Sequence, residues 1–259
     1  MTGKNMSNTI YPVVLRAIDI VKNELEIITA EREALSDFRG RISVISADDG
    51  HQLDTRIGST SQRIVDPAEP SASLQAVRAA YRDTVMDVPH YESEYNEPFE
   101  EHVSTEFSQT IANNLINGEL LTAPLHSALI KAVEQRTATR DAFRKELRQE
   151  RQSLELVNDS LGDIESQTHQ ISSQLERVTG LEQRKSLRDE LRRLETECGQ
   201  LADSRQTTIH QRSQRDWEGI ASGSLPVYLY GELETPTPAL QAIGSCIESI
   251  HENLRRCRV

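Results

Sequence analysis

Aromatic residues make up only 4% of this 259-residue chain, and lysine is scarcer still: the 29 basic residues divide into 5 Lys and 24 Arg. Hydrophobic residues reach only 36%, thin material for one large globular core. Cysteine is rare too. Cys198, Cys246 and Cys257 are odd in number and contain no CxxC pair, so neither a disulfide framework nor a finger-type zinc site is indicated; Cys198 is expected to pack in a helix seam. No apolar run approaches the ~20 residues that span a bilayer. Met1 to Ile10 is polar, without a signal-peptide hydrophobic region, and cytoplasmic residence is the expectation that follows.

Several chemistry-bearing patterns are missing as well. The chain has no GxSxG elbow, no Gly-rich phosphate loop, no GxGxxG and no HExxH, so nucleophilic, nucleotide and zinc chemistry lack their usual carriers. The expectation is a non-enzymatic protein with no catalytic residues, no cofactor and no metal site.

What is abundant is charge. Charged residues are 27% of the chain and the formal net charge is -12; Glu, Arg, Gln, Leu and Ser recur throughout, which suits long helices with a narrow apolar stripe. Many carboxylates with few lysines fit salt adaptation, because carboxylates hold water and cations while long Lys stems add apolar surface. At 1 M salt the Debye length is about 3 Å, so net acidity then speaks to solubility rather than to partners.

Along the chain, Val14, Ile18, Val21, Leu25, Ile28, Leu35 and Ile42 fall at spacings of four and three, with Arg32 and Arg39 filling two seam slots. This heptad pattern predicts a helix over 11–47. Residues 48–72 are rich in Gly, Ser, Thr, Asp and Pro and read as a disordered linker. A small helical module follows over 73–118. One of its helices carries Leu74, Val77, Tyr81 and Val85 and stops at Pro89; the next carries Phe99, Val103, Phe107, Ile111 and Leu115, opened by Pro98 and ended by Gly118.

Residues 122–213 hold the strongest pattern. Leu147, Leu154, Leu161, Thr168 and Leu175 share one heptad position, with Val157, Ile164, Ile171 and Val178 at its partner position. The phase breaks at Thr179-Gly180 and resumes at Leu187, which fits either a stutter in one helix or, the favoured reading, a hairpin near 180. Residues 214–237 (with SGSLPVYLYGELETPTP) look too rich in Gly and Pro for helix. A C-terminal helix over 238–259 is predicted, with Thr237-Pro238 as its cap. The fold class is all-α: an elongated coiled coil or helical hairpin with a small central helical module.

The stretch His90 to His102, HYESEYNEPFEEH, is the most unusual in composition. Its two histidines and Glu92, Glu94, Glu97, Glu100 and Glu101 lack metal-ligand spacing, and as acid/base groups they would need a burial that nothing in so polar a run predicts. It reads as a helix junction with solvated acids. Exposed aromatics amid acids are unusual on a helical surface, so Tyr91, Tyr95 and Phe99, with His90, are the candidate partner-binding residues. The helices over 99–117 and 122–138 could also form a helix-turn-helix. Only Lys131 and Arg136 would be basic on its reading helix, so nucleic acid is disfavoured as a partner.

The block VRAAYRDTVMDVPHYESEYNEPFEEH, the helix start Thr122-Ala123-Pro124-Leu125 and the segment VYLYGELETPTPALQAIGSCIESI together resemble a family of haloarchaeal coiled-coil proteins of unknown function. The resemblance covers most of the chain outside 48–72. It implies salt adaptation and a cytoplasmic archaeal setting, and it brings no activity. The functional expectation is a coiled-coil interaction or scaffold protein that binds a protein partner or self-associates through its heptad seams, with no membrane partner. A transcriptional or chromatin-associated regulator comes second and a metal-dependent enzyme third.

Overall fold

The computed structural model describes residues 11–48, 69–213 and 224–257. Most of the predicted linker (49–68) and the first part of the predicted loop (214–223) therefore lie outside the described residues. Among the described residues the chain is all-α, without strands: α1 (Pro12–Ser43), α2 (Ala72–Arg82), a 3-10 turn (Val85–Asp87), α3 (Tyr91–Glu94), α4 (Phe99–Glu106), α5 (Gln109–Asn117), α6 (Ala123–Leu175), α7 (Leu181–Ser213), α8 (Leu225–Tyr230) and α9 (Pro238–Arg256). No described helix is long and apolar enough to cross a membrane. The chain divides into two compact units, one over Leu25–Lys145 and one formed by Met1–Glu24 with Glu146–Val259.

In the Leu25–Lys145 unit, α1 and the start of α6 run antiparallel, as the pairings of Arg39 with Glu134 and of Arg32 with Asp141 show. Leu35, Phe38 and Ile42 of α1 close on Leu74, Val77 and Tyr81 of α2, Phe99 and Val103 of α4, Ile111 and Leu115 of α5, and Leu125, Leu129 and Val133 of α6. The buried stripe of α1 departs from the predicted seam. Arg39 is exposed and Arg32 half-buried, while Glu31 and Phe38 turn inward in their place. The inward face of this part of α1 is set by its neighbours: Phe38 packs on Tyr81 of α2 and Glu31 meets Arg140 of α6.

Three helix ends in this unit, the starts of α2 and α6 and the end of α5, are satisfied by side chains. The Ser71 hydroxyl accepts from the Leu74 amide (3.1 Å) and donates to Asp48 Oδ2 (2.5 Å), and that same oxygen accepts the Leu121 amide (2.6 Å). Burial works to raise the Asp48 pKa, but these donors outweigh it and the net shift is downward. Thr122 caps α6 through the Leu125 amide (3.3 Å). At the end of α5, the Arg78 guanidinium satisfies the carbonyls of Leu115, Ile116 and Gly118. Gly118 is required there, because a Cβ would stand 2.3 Å from the Asn114 carbonyl oxygen.

In the other unit, α6 stops at Leu175 and α7 starts at Leu181. Arg205 reaches Glu150 and Arg193 reaches Gln167, so the two helices run antiparallel about the Val178-Thr179-Gly180 connection. Leu147, Leu154, Val157, Leu161, Ile164, Thr168, Ile171 and Leu175 are all buried, as are Leu187, Leu191, Leu194 and Cys198 on α7. Each inward Leu is of the kind whose truncation to Ala costs about 2–5 kcal/mol. Antiparallel to α7, α9 sets Cys246 against Cys198 and His251 against Glu195.

Several local expectations need correction. The helix expected to run to Pro89 ends at Arg82, with Val85 in the 3-10 turn, and the single helix expected from Phe99 to Gly118 is two, α4 and α5, parted at Phe107 and Ser108. Leu225–Tyr230, within the segment expected to be irregular, is helical. Pro226 sits in the first turn, where no N–H is needed, and burial of Leu225, Leu229 and Tyr230 holds the short helix in place. Thr237 does occupy the N-cap position of α9, but its side chain makes no cap bond; its hydroxyl lies 3.3 Å from that of Thr235 instead.

Candidate functional site

The aromatic joint is not an exposed surface. Tyr91 is 8% exposed and Phe99 6%, while His90 and Tyr95 are half-buried. The local chain explains this. α3 is a single turn that ends at Tyr95, and Asn96 follows with φ of 47°, a left-handed conformation that Asn tolerates better than most residues. The chain reverses there, so the rings on either side fold inward. The Tyr91 hydroxyl donates to the Glu97 carbonyl (2.9 Å) across the reversal. Glu92, Glu94, Glu100 and Glu101 remain exposed, as a solvated acidic run should.

What the rings enclose is His102, on the inner face of α4. Its imidazole lies 5.1 Å from the Tyr91 ring, 5.2 Å from Tyr95 and 5.7 Å from Tyr81, centroid to centroid. The Tyr81 hydroxyl and His102 Nδ1 share a hydrogen bond at 2.7 Å. Burial pushes the Tyr81 pKa well up and the His102 pKa down, so both stay neutral.

A charged layer adjoins this cage. Glu31 of α1 accepts from the Tyr95 hydroxyl at Oε1 (2.5 Å) and from Arg140 Nε at Oε2 (3.2 Å), and His90 Nε2 lies 3.5 Å from Oε1. Arg140 of α6 also donates from Nη2 to Glu106 Oε2 (3.0 Å), so one guanidinium bridges two carboxylates. Arg136 adds a bond to the Glu106 carbonyl (2.7 Å). Burial raises the Glu106 pKa even against the two arginines. For Arg140 the balance goes the other way: burial works against its charge, but Glu106 and Glu31 outweigh it and the pKa is raised. Burial and the Glu31 charge together push Tyr95 far up. The network ties α1, α4 and α6 in one register. Glu31 and Glu106 each turn an oxygen toward the Arg140 guanidinium.

Reading the sequence missed Glu31, Glu106 and Arg140. The signal available was a carboxylate falling between apolar positions of a helical stripe, as Glu31 does between Ile28 and Leu35, with an arginine on the facing helix to answer it. Of the two basic residues on the helix-turn-helix alternative's reading helix, Arg136 donates from Nε to the Glu106 carbonyl. Lys131 remains exposed on α6. Among the described residues no group of three or more His, Cys, Asp or Glu is arranged to hold a metal.

The Met1–Glu24 with Glu146–Val259 unit has a polar centre of its own. Arg205 of α7 makes a two-pronged contact with Glu150 of α6, Nη1 to Oε2 at 2.9 Å and Nη2 to Oε1, and also reaches Ser153 Oγ (3.0 Å). The Tyr230 hydroxyl of α8 completes the carboxylate (2.6 Å). Burial works against the Arg205 charge, and the Glu150 contacts overcome it, raising its pKa. This triad explains why α8 forms: Tyr230 carries the hydroxyl into a site that lies wholly inside the protein.

A match to Domain of unknown function (DUF7260) runs over residues 13–254 and takes in all of these groups. The chain belongs to the DUF7260 family. No curated protein and no solved structure matches it. The DUF7260 region includes both buried polar centres, from Glu31 to Arg140 in one unit and from Glu150 to Tyr230 in the other.

Proposed function

We propose that this DUF7260 chain is a non-enzymatic helical interaction module of a salt-adapted cytoplasm, which presents charged outer helix faces to a protein partner. The observation that carries the reading is that its reactive-looking side chains engage one another. Glu31 and Glu106 engage Arg140 in one set and Glu150 engages Arg205 and Tyr230 in another, which favours a role in helix register over one in holding a substrate. The seam residues Leu147, Leu154 and Leu161 are buried within the single chain, which favours a partner on the outer faces over self-association through the seams. Salt adaptation is supported by 41 acidic residues against 5 lysines.

The test is molar mass by light scattering in ~2 M KCl, followed by capture of the full chain from a salt-adapted host in the same salt. The expected outcome is a 29.2 kDa monomer that returns with one protein at fixed stoichiometry. A dimer that dissociates on Leu154→Glu would overturn the closed-seam reading. A duplex nucleic acid retained in that salt would replace the protein partner with the regulator reading.

A further inference from the structure

Two of the three cysteines face each other inside the Met1–Glu24 with Glu146–Val259 unit. Cys198 of α7 is fully buried, Cys246 of α9 is 2% exposed, and their sulfurs stand 3.7 Å apart with the Cys198 thiol donating to Cys246. Both are free thiols. Two small apolar residues filling a seam would account for burial, but seam packing alone does not require sulfur on both sides of the contact.

We propose that Cys198 and Cys246 form a redox-modifiable dithiol, oxidised by peroxide to a disulfide that clips α9 to α7. The placement suits the step. The two residues lie on antiparallel neighbouring helices, and a disulfide of about 2.05 Å asks the sulfurs to approach by roughly 1.6 Å from their present contact, within the reach of side-chain rotation. The two thiols also differ in acidity, as a working pair needs. Cys246 is lowered to about 7, chiefly by the bond from Cys198 and against the effect of burial, with Tyr11 also lowering it and Glu165 opposing. Cys198 is raised, first by the same bond and then by burial and its neighbours Glu197 and Glu195. Cys246, which accepts the bond from Cys198, is placed to attack first and Cys198 to resolve.

The steps balance. The Cys246 thiolate attacks one oxygen of hydrogen peroxide, the O–O bond breaks, and sulfenic acid and hydroxide form; hydroxide takes up a proton to become water. The Cys198 sulfur then attacks the sulfenic sulfur, the S–O bond breaks, the Cys198 proton leaves with the departing oxygen as a second water, and the S–S bond forms. Each thiol sulfur gives up one electron overall, and peroxide accepts both. Peroxide is small and neutral, so it needs only a slight opening between α7 and α9. The third thiol, Cys257, has neither sulfur partner and serves as an internal control.

The experiment treats the full folded chain with hydrogen peroxide, then alkylates it under denaturing, non-reducing conditions and maps its peptides. The expected result is a fall from three alkylatable thiols to one, a mass about 2 Da lower before alkylation, and one linked peptide pair that joins Cys198 to Cys246. A melting temperature raised by roughly 5 °C or more, and restored by reductant, is expected alongside. Cys198→Ala should leave Cys246 as a sulfenic acid that a dimedone-type probe traps. Three thiols still free after treatment of the wild-type chain, or a product dominated by Cys246 sulfinic acid or by disulfides between chains, would overturn the proposal. The wild-type peptide map decides this even if the variant fails to fold.

Discussion

The two units each bury an arginine with carboxylates, but in contrasting ways. Around Arg205 the arrangement is dry: the guanidinium makes a two-pronged contact with Glu150 and reaches Ser153, the Tyr230 hydroxyl joins the same carboxylate, and the ion-paired side chains are 2–3% exposed. Around Arg140 it branches, with two carboxylates on one guanidinium whose side chains are 10–17% exposed, and with Arg136, 31% exposed, at the edge. The first is dry and two-pronged, whereas the second shares one guanidinium between two carboxylates at a partly wet edge. A dry pair acts as a register pin and a wetter, branched one can respond to pH, because the cost of an unmatched charge climbs steeply with desolvation.

Removing Arg205 should give the largest effect. Arg205→Met leaves Glu150 charged and buried, with an expected loss of about 3–5 kcal/mol in urea unfolding. Arg205→Met with Glu150→Leu should recover most of that loss, and failure to do so would mean the pair does more than balance itself. Arg140→Met should cost less, about 2–3 kcal/mol, since Arg136 stays near Glu106 and the site is partly wet. Equal costs for the two variants would erase the contrast between the units.

The pH response should separate the units next. The folded pKa of His102 is depressed, so its contribution to stability is complete above its unfolded value of about 6.5 and is lost as pH falls toward the folded pKa. Glu106 is raised, so its contribution is complete below about 4.3 and is lost as pH rises toward its folded pKa. The two therefore oppose each other in mildly acid solution. Glu106→Gln should steepen the fall in urea midpoint below about pH 6.5, and His102→Asn should flatten it; a wild-type-like profile in both variants would remove these groups from the response. The smallest effect is expected on the exposed rim, where Arg39→Ala breaks the contact with Glu134 at about 0.5 kcal/mol or less in the same urea assay.

Much of the helical order was legible in residue spacing. The seam from Leu147 to Leu175 is buried as its heptads imply, and the change of phase at Thr179-Gly180 coincides with the break between α6 and α7. α8 was hidden because six residues are too few to show a helical period, and because Pro226 and Gly231 look like loop chemistry until Leu225, Leu229 and Tyr230 find a core. The candidate site was legible only in part. The run from His90 to His102 stood out by composition, yet its aromatics were read as exposed. The reversal at Asn96 that turns them inward rests on a backbone angle that composition does not report.

The sequence by itself determined the class of structure, since apolar residues three and four apart can be buried together only on a helix, and it located the main helix boundaries through Pro, Gly and capping residues. Which charges would be buried was decided by the tertiary structure alone. Glu31 and Arg140 lie 109 residues apart, Glu150 and Arg205 55, and Cys198 and Cys246 48. Each looks like one more surface residue or small apolar filler in its own helix. Its properties come from the neighbour that antiparallel packing places opposite it, in surroundings too dry for water to substitute.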